Sequence, residues 1–393
     1  MSEMTAMTAM TAMTAMTAMT AMTGRGGSSL AGLTSLYGDG QVTDALLTSR
    51  ARNTPESATL PPRTGQFAAG QLPALANPAH LAWWQPEVRG HICSLELASG
   101  LTFDAVSTPG TVTVRALGKA FDESTRSAAE LAALAAVRAF AHVTPGPQER
   151  LVTMVRPPRP AVDAQLLKVL AHAESELRRA RANEIVAQVL PQVPFWSSIV
   201  PLSPWRTPWT FELMGAALKF GNEVCHRLKH ELALPRPSEL SPFVQPILQT
   251  PGWAALPSGH ATEAFLFAGL IGKLMNLDPT GDTWQALQRQ AASIADNRVW
   301  AGLHFPMDGI AGRLLGQTLA EYVAARCAGG VWSPRTFDGA DAAVADADLD
   351  WSLTASTGAG CSEAAAVPGP ARSPLLGYLW ERATAEFRDL GYL

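Results

Sequence analysis

Apolar residues recur at three-to-four spacing over residues 123–141, 162–190, 211–234, 258–277, 283–295 and 306–327, which predicts six helices. Between 92 and 117 the pattern alternates instead. It runs through Cys-Ser-Leu-Glu-Leu and Thr-Val-Thr-Val-Arg, separated by Ser107-Thr-Pro-Gly110, and predicts a β-hairpin. The expected fold class is therefore mainly all-α, a helical bundle with a minor β element.

Outside these stretches the periodicity fades. Residues 4–23 repeat Met-Thr-Ala, and 24–80 are rich in Gly, Ser, Thr and Pro, with little apolar surface to offset the entropy of ordering, so 1–80 is expected to be mostly disordered. A helical domain then spans 81–328, and 329–393 is a Gly-, Ala- and Pro-rich tail. A last amphipathic helix over 375–390 either docks on its own domain or supports a homo-oligomer. The Pro- and Trp-rich connections 191–208 and 235–257 are too long for simple turns, and loops of that kind tend to carry function.

Composition narrows the function classes. The 393 residues are 47% hydrophobic, as in globular proteins, and 30 basic against 34 acidic side chains give a net charge of −4. No global field draws in nucleic acid, so any anion site must be local. Cys93, Cys225, Cys327 and Cys361 lie far apart with no C-x-x-C spacing, which argues against a zinc knuckle or a redox dithiol. The first two dozen residues lack the basic and apolar regions of a secretory signal, and a cytoplasmic location is expected. The most apolar runs, 264–275 and 310–325, are interrupted by Lys273 and by Arg313 and Glu321. They fall short of the ~20 apolar residues of a membrane span, so none is expected.

Three clusters then supply parts of one oxyanion site. Lys229 ends a predicted helix, while Pro237 forces Arg236 into extended backbone, so a point charge and a fork converge from different segments. Pro257-Ser-Gly-His260 opens an apolar helix: Ser258 is a natural N-cap, Gly259 lets an anion approach the backbone, and His260 sits in the first turn. In Arg298-x5-His304-x3-Asp308, a carboxylate four residues from an imidazole can accept its second N–H and raise the basicity of the free nitrogen, as a nucleophile or metal ligand requires. Taken singly, each has a plain alternative, a helix-terminal histidine without a role or a surface His–Asp pair. His226 and His230 bracket Lys229 at metal-binding spacing, but no third ligand lies at useful spacing, and one of them is expected to support Lys229 instead.

The ordered set resembles the three-part signature shared by type 2 phosphatidic acid phosphatases, bacterial class A acid phosphatases and vanadium-dependent haloperoxidases. The resemblance runs from Lys229 to Asp308; Asn297 departs from it, standing where Ser commonly precedes the third-motif Arg. It implies a bundle of the haloperoxidase/acid phosphatase type. Lys229, Arg236, Ser258, Gly259 and Arg298 would hold the oxygens of phosphate or vanadate. His304 would bond the central atom, as the axial ligand if that atom is vanadium, with Asp308 steadying it and His260 acting as acid–base group at the opposite apex.

Two chemistries share these residues because trigonal-bipyramidal vanadate resembles the transition state of phosphoryl transfer. The expected activity is a vanadium-dependent haloperoxidase with vanadate as cofactor and hydrogen peroxide and halide as substrates. The alternative is a phosphomonoesterase or pyrophosphatase acting through phosphohistidine without a cofactor. The expected absence of a membrane span and of a signal lean towards the peroxidase. So does His260-Ala-Thr, since secreted acid phosphatases usually place Thr directly after this His. Trp253, seven residues before His260, stands where haloperoxidases carry an aromatic or His beside the halide site; it is a halide-site candidate or simply a loop anchor.

Overall fold

The computed structural model describes residues 84, 86–105, 108–117, 148–189, 192–349, 358–369 and 372–393. The N-terminal region 1–80 and the predicted helix 123–141 lie outside them. The fold is mainly helical with a small sheet, as expected.

The central element is helix α7 (Gly259–Leu274), apolar on every side, with residues from Ala261 to Leu274 buried almost without a break. Such a helix needs neighbours all round it. They are α5 (Pro208–Leu232), α8 (Asp282–Trp300) and α9 (Pro306–Ala328). The approach to α9 is set by glycine: a Cβ on Gly312 would stand 2.7 Å from the Ser258 carbonyl oxygen, and one on Gly316 2.5 Å from that of Thr262. Only bare backbone lets the first turn of α7 meet the second and third turns of α9 so closely, and the Ser258 N-cap lies at that contact.

Upstream, α1 (Pro86–Ala98) packs on α5, with Arg89 paired to Glu212. This corrects the β reading of 92–98. Cys93 and Leu97, four apart, are both buried, and alternation over so few residues fits either period until a partner helix selects one. The hairpin itself forms later, from β1 (Leu101–Asp104) and β2 (Thr111–Leu117), antiparallel with Leu101 opposite Ala116.

The hairpin belongs to a larger sheet. Strand β3 (Gln148–Val155) pairs antiparallel with β2 and parallel with β5 (Arg335–Asp338), and β6 (Cys361–Glu363) closes the order β1-β2-β3-β5-β6. A second pair joins β4 (Val331–Trp332) to β7 (Val367–Pro368). Strands thus arise within the Gly-, Ala-, Ser- and Pro-rich stretch after 328. Arg335 ties the sheet to α9 through Glu321 at 2.7 Å.

The single helix expected over 162–190 is two, α2 (Arg159–Glu174) and α3 (Glu176–Ala187). Ser175 breaks it with extended backbone and caps the second helix, its side chain accepting from Leu177 N. Short helices α4 (Val193–Ser197) and α6 (Pro237–Leu240) punctuate the long connections. Helix α10 (Pro374–Asp389) lies on α5, where Glu386 accepts from the Trp209 and Thr210 backbone N–H groups at 2.7 and 2.9 Å, capping α5 from a distance. Among the described residues no helix is long and apolar enough to cross a membrane.

Candidate anion site

The last turn of α5, the first turns of α7 and α9 and the end of α8 bring the sequence-predicted residues together. Lys229 is buried and donates all three ammonium protons to backbone carbonyls, of Ala254 at 3.0 Å, Ala255 at 2.8 Å and Pro257 at 2.6 Å. It therefore fixes the loop that leads into α7. Burial brings its pKa down to about 8.

Arg236 is held extended by Pro237, and its side chain runs inward. Its Nε donates to the Trp253 carbonyl at 2.8 Å and its Nη1 to the Leu303 carbonyl at 2.9 Å, and Nη1 lies 3.0 Å from His304 Nε2. A guanidinium has only donors, so Nε2 must present its lone pair. The imidazole proton then sits on Nδ1, 3.0 Å from Asp308 Oδ2. That carboxylate oxygen also accepts from Phe305 N at 2.9 Å, and the Asp308 carbonyl accepts from Ser258 N at 2.9 Å. One residue thus orients His304, caps α9 and ties α9 to the start of α7.

Arg298, fully buried, spends one bond on the Ile185 carbonyl, from Nη2 at 2.7 Å. Its Nε and Nη1 are buried with no partner, as is Asp308 Oδ1. Buried donors on a charged group are costly when unmade, and an oxyanion has the acceptor oxygens to satisfy them. Ser258 caps α7, its hydroxyl accepting from Ala261 N at 3.4 Å. A Cβ on Gly259 would meet nothing within 4 Å, so the helix start faces open space.

The electrostatics favour negative charge. Desolvation brings Arg236 and Arg298 each to about 10. Half-buried His260 is pushed down to about 3 by desolvation and then by Arg298, Arg236 and Lys229, which leaves it neutral near pH 7. His304 is lowered well below the usual histidine range by burial and the same cations. Burial raises Asp308 to about 7, against the Phe305 N–H bond, Lys229 and Arg236, which hold it down.

Trp253 enters through its carbonyl, on Arg236, while its ring meets His226 edge-on at 5.3 Å. Thus His226 braces Trp253, and Lys229 is seated by carbonyls instead of by a histidine. No group of three or more His, Cys, Asp or Glu side chains stands ready to hold a metal ion among the described residues.

Sequence reading missed the outer supports. Gln165 accepts from Met307 N at 3.0 Å and donates to the carbonyls of Val344 and Ala347 at 3.0 and 2.8 Å, pinning the first turn of α9. Asn297, the departure from the third motif, donates to Gln188 at 2.9 Å and accepts from Arg181 at 3.3 Å. Glu263, raised to about 7 by desolvation and held down by Lys229, was missed too. An isolated carboxylate in an otherwise apolar helix was its signal; for Gln165 and Gln188 the sequence offers none.

Residues 213–327, which include all of these motif residues, match the model of the PAP2 superfamily. No curated protein matches the chain.

Proposed function

We propose, for a chain whose residues 213–327 match the model of the PAP2 superfamily, that it is a vanadium-dependent haloperoxidase, oxidising halide with hydrogen peroxide. The observation that carries an oxyanion function is Arg298, buried beside the oriented imidazole with two unpartnered donors. Those donors, the open space at Gly259 and the His304 lone pair fit a tetrahedral oxyanion such as vanadate. Vanadate bound there would supply the Lewis-acid centre at which peroxide becomes an oxidant of halide.

The residues divide the remaining work. His304 offers Nε2 to the central atom while Asp308 holds its proton on Nδ1; the Arg236 bond to Nε2 must pass to an oxygen of the incoming anion. Arg298, the Ser258 hydroxyl and the Gly259 N–H hold the other oxygens. Lys229, its protons already committed, acts through its charge and by holding the 254–257 backbone. His260, neutral near pH 7, offers a ring nitrogen to a proton of hydrogen peroxide, and an anion in the site raises its basicity by offsetting Arg298, Arg236 and Lys229. Trp253 remains the candidate wall of a halide site.

The phosphatase reading rests on the same donors. There His304 Nε2 forms a bond to phosphorus as the bond to the leaving oxygen breaks, His260 gives that oxygen a proton, and water then cleaves the phosphohistidine. It needs a protonated His260, whose pKa a bound anion raises by offsetting Arg298, Arg236 and Lys229; what ranks it second is His260-Ala-Thr, where secreted acid phosphatases usually place Thr directly after this His.

The full chain, dialysed after loading with orthovanadate, is expected to retain vanadium stoichiometrically and to brominate a phenol indicator with bromide and peroxide. Phosphate release from p-nitrophenyl phosphate without bromination would replace this reading by the phosphatase. A His304→Ala variant retaining either activity would sink both.

A further inference from the structure

A cleft of about 330 Å³ lies at the junction of β3, the start of α2 and the segment that precedes Arg236. Its apolar surface comes from Val162 and Leu234, both buried in the core, and from half-buried Leu240 and Pro235. Two exposed arginines, Arg156 and Arg159, line it as well. Arg159 pairs with Asp163 at 2.7 Å, whereas the Arg156 side chain has no hydrogen-bond or ion-pair partner among the described residues. The cleft thus joins an apolar floor to an uncommitted planar cation, in a chain whose net charge is −4.

It is not part of the anion site. Arg236 follows directly after the wall residue Pro235, but its backbone is extended and its side chain runs to Trp253, Leu303 and His304. The volume is at the lower end of the ~300–1,000 Å³ of small-molecule sites, enough for a bicyclic aromatic and too little for a folded partner.

We propose that this cleft is a second binding site, taking a small organic anion whose apolar body lies on Leu234, Val162 and Leu240 and whose carboxylate, sulfonate or phosphate pairs with Arg156. Guanidinium suits all three head groups, because each presents two oxygens to its fork. Pro235 and the buried floor limit reorganisation, so the site is largely preformed.

Calorimetric titration of the full chain with 2-naphthoate tests this. One site per chain is expected, with at least tenfold weaker binding of the neutral 2-naphthamide and of naphthoate to Arg156→Ala. Leu240→Trp, which fills the cleft without adding charge, is expected to abolish binding in a protein that still melts cooperatively. Saturating orthovanadate leaves the naphthoate affinity within twofold. Absence of saturable binding, unchanged affinity in both variants, equal binding of the amide, or displacement of naphthoate by orthovanadate would each overturn the proposal.

Discussion

Lys229 and Arg298 are both buried cations at one site, yet their surroundings treat them in opposite ways. Each Lys229 proton meets a carbonyl oxygen within 3.0 Å, whereas Arg298 has one such bond and two buried, unpartnered nitrogens. Satisfied charge holds structure together; unsatisfied charge is a standing cost that a ligand relieves. The Lys229 side of the pocket is therefore mainly architecture, and the Arg298 side mainly affinity, although both carry one positive charge.

Paired truncations give the largest effect. Lys229→Met leaves three buried carbonyls without donors and is expected to cost about 3–5 kcal/mol in urea unfolding. Arg298→Met removes a poorly compensated charge and changes stability by under about 1 kcal/mol, while vanadate affinity falls about 100-fold or more, as loss of two charge-assisted hydrogen bonds predicts. Equal destabilisation by the two would break the contrast.

A smaller effect separates the two sides by geometry alone. Gly312→Ala drives a Cβ into the Ser258 carbonyl and is expected to cost about 1–3 kcal/mol in unfolding and to weaken anion binding, by parting α7 from α9. Gly259→Ala meets no atom within 4 Å, so it leaves stability within about 0.5 kcal/mol of wild type yet lowers vanadate affinity, because the methyl fills the cradle. If both variants bound vanadate normally, the helix starts would not form the anion seat.

A further effect is a slope. The folded pKa of His260, about 3, lies below its ordinary 6.5, so at lower pH the unfolded chain takes the proton first. Its contribution to stability is present above pH 6.5 and is lost as pH falls towards 3. Asp308 and Glu263, both raised to about 7, act in the opposite sense, favouring the folded state as pH falls through 7. The difference between wild type and His260→Asn isolates the histidine: the urea midpoint of wild type should fall more steeply between pH 6.5 and 4. Identical slopes would place His260 in a more polar setting than the three cations imply.

Much of this was legible beforehand because it is local. Helix periods, the extended backbone before Pro237, the N-cap at Ser258 and the four-residue step from His304 to Asp308 each depend on neighbours within one turn. The segment 92–98 was misread because a seven-residue pattern carries two periods at once, and only contact with α5 selects the helix. Likewise nothing near 335–338 announces its parallel pairing with 152–155, and nothing near Gln165 announces Met307. The sequence by itself determined which charged and nucleophilic groups the site contains and the local backbone on which each stands. Tertiary structure alone decided which of their hydrogen bonds are already spent, since the carbonyls that saturate Lys229 and those that fail to reach Arg298 come from segments far away in the chain.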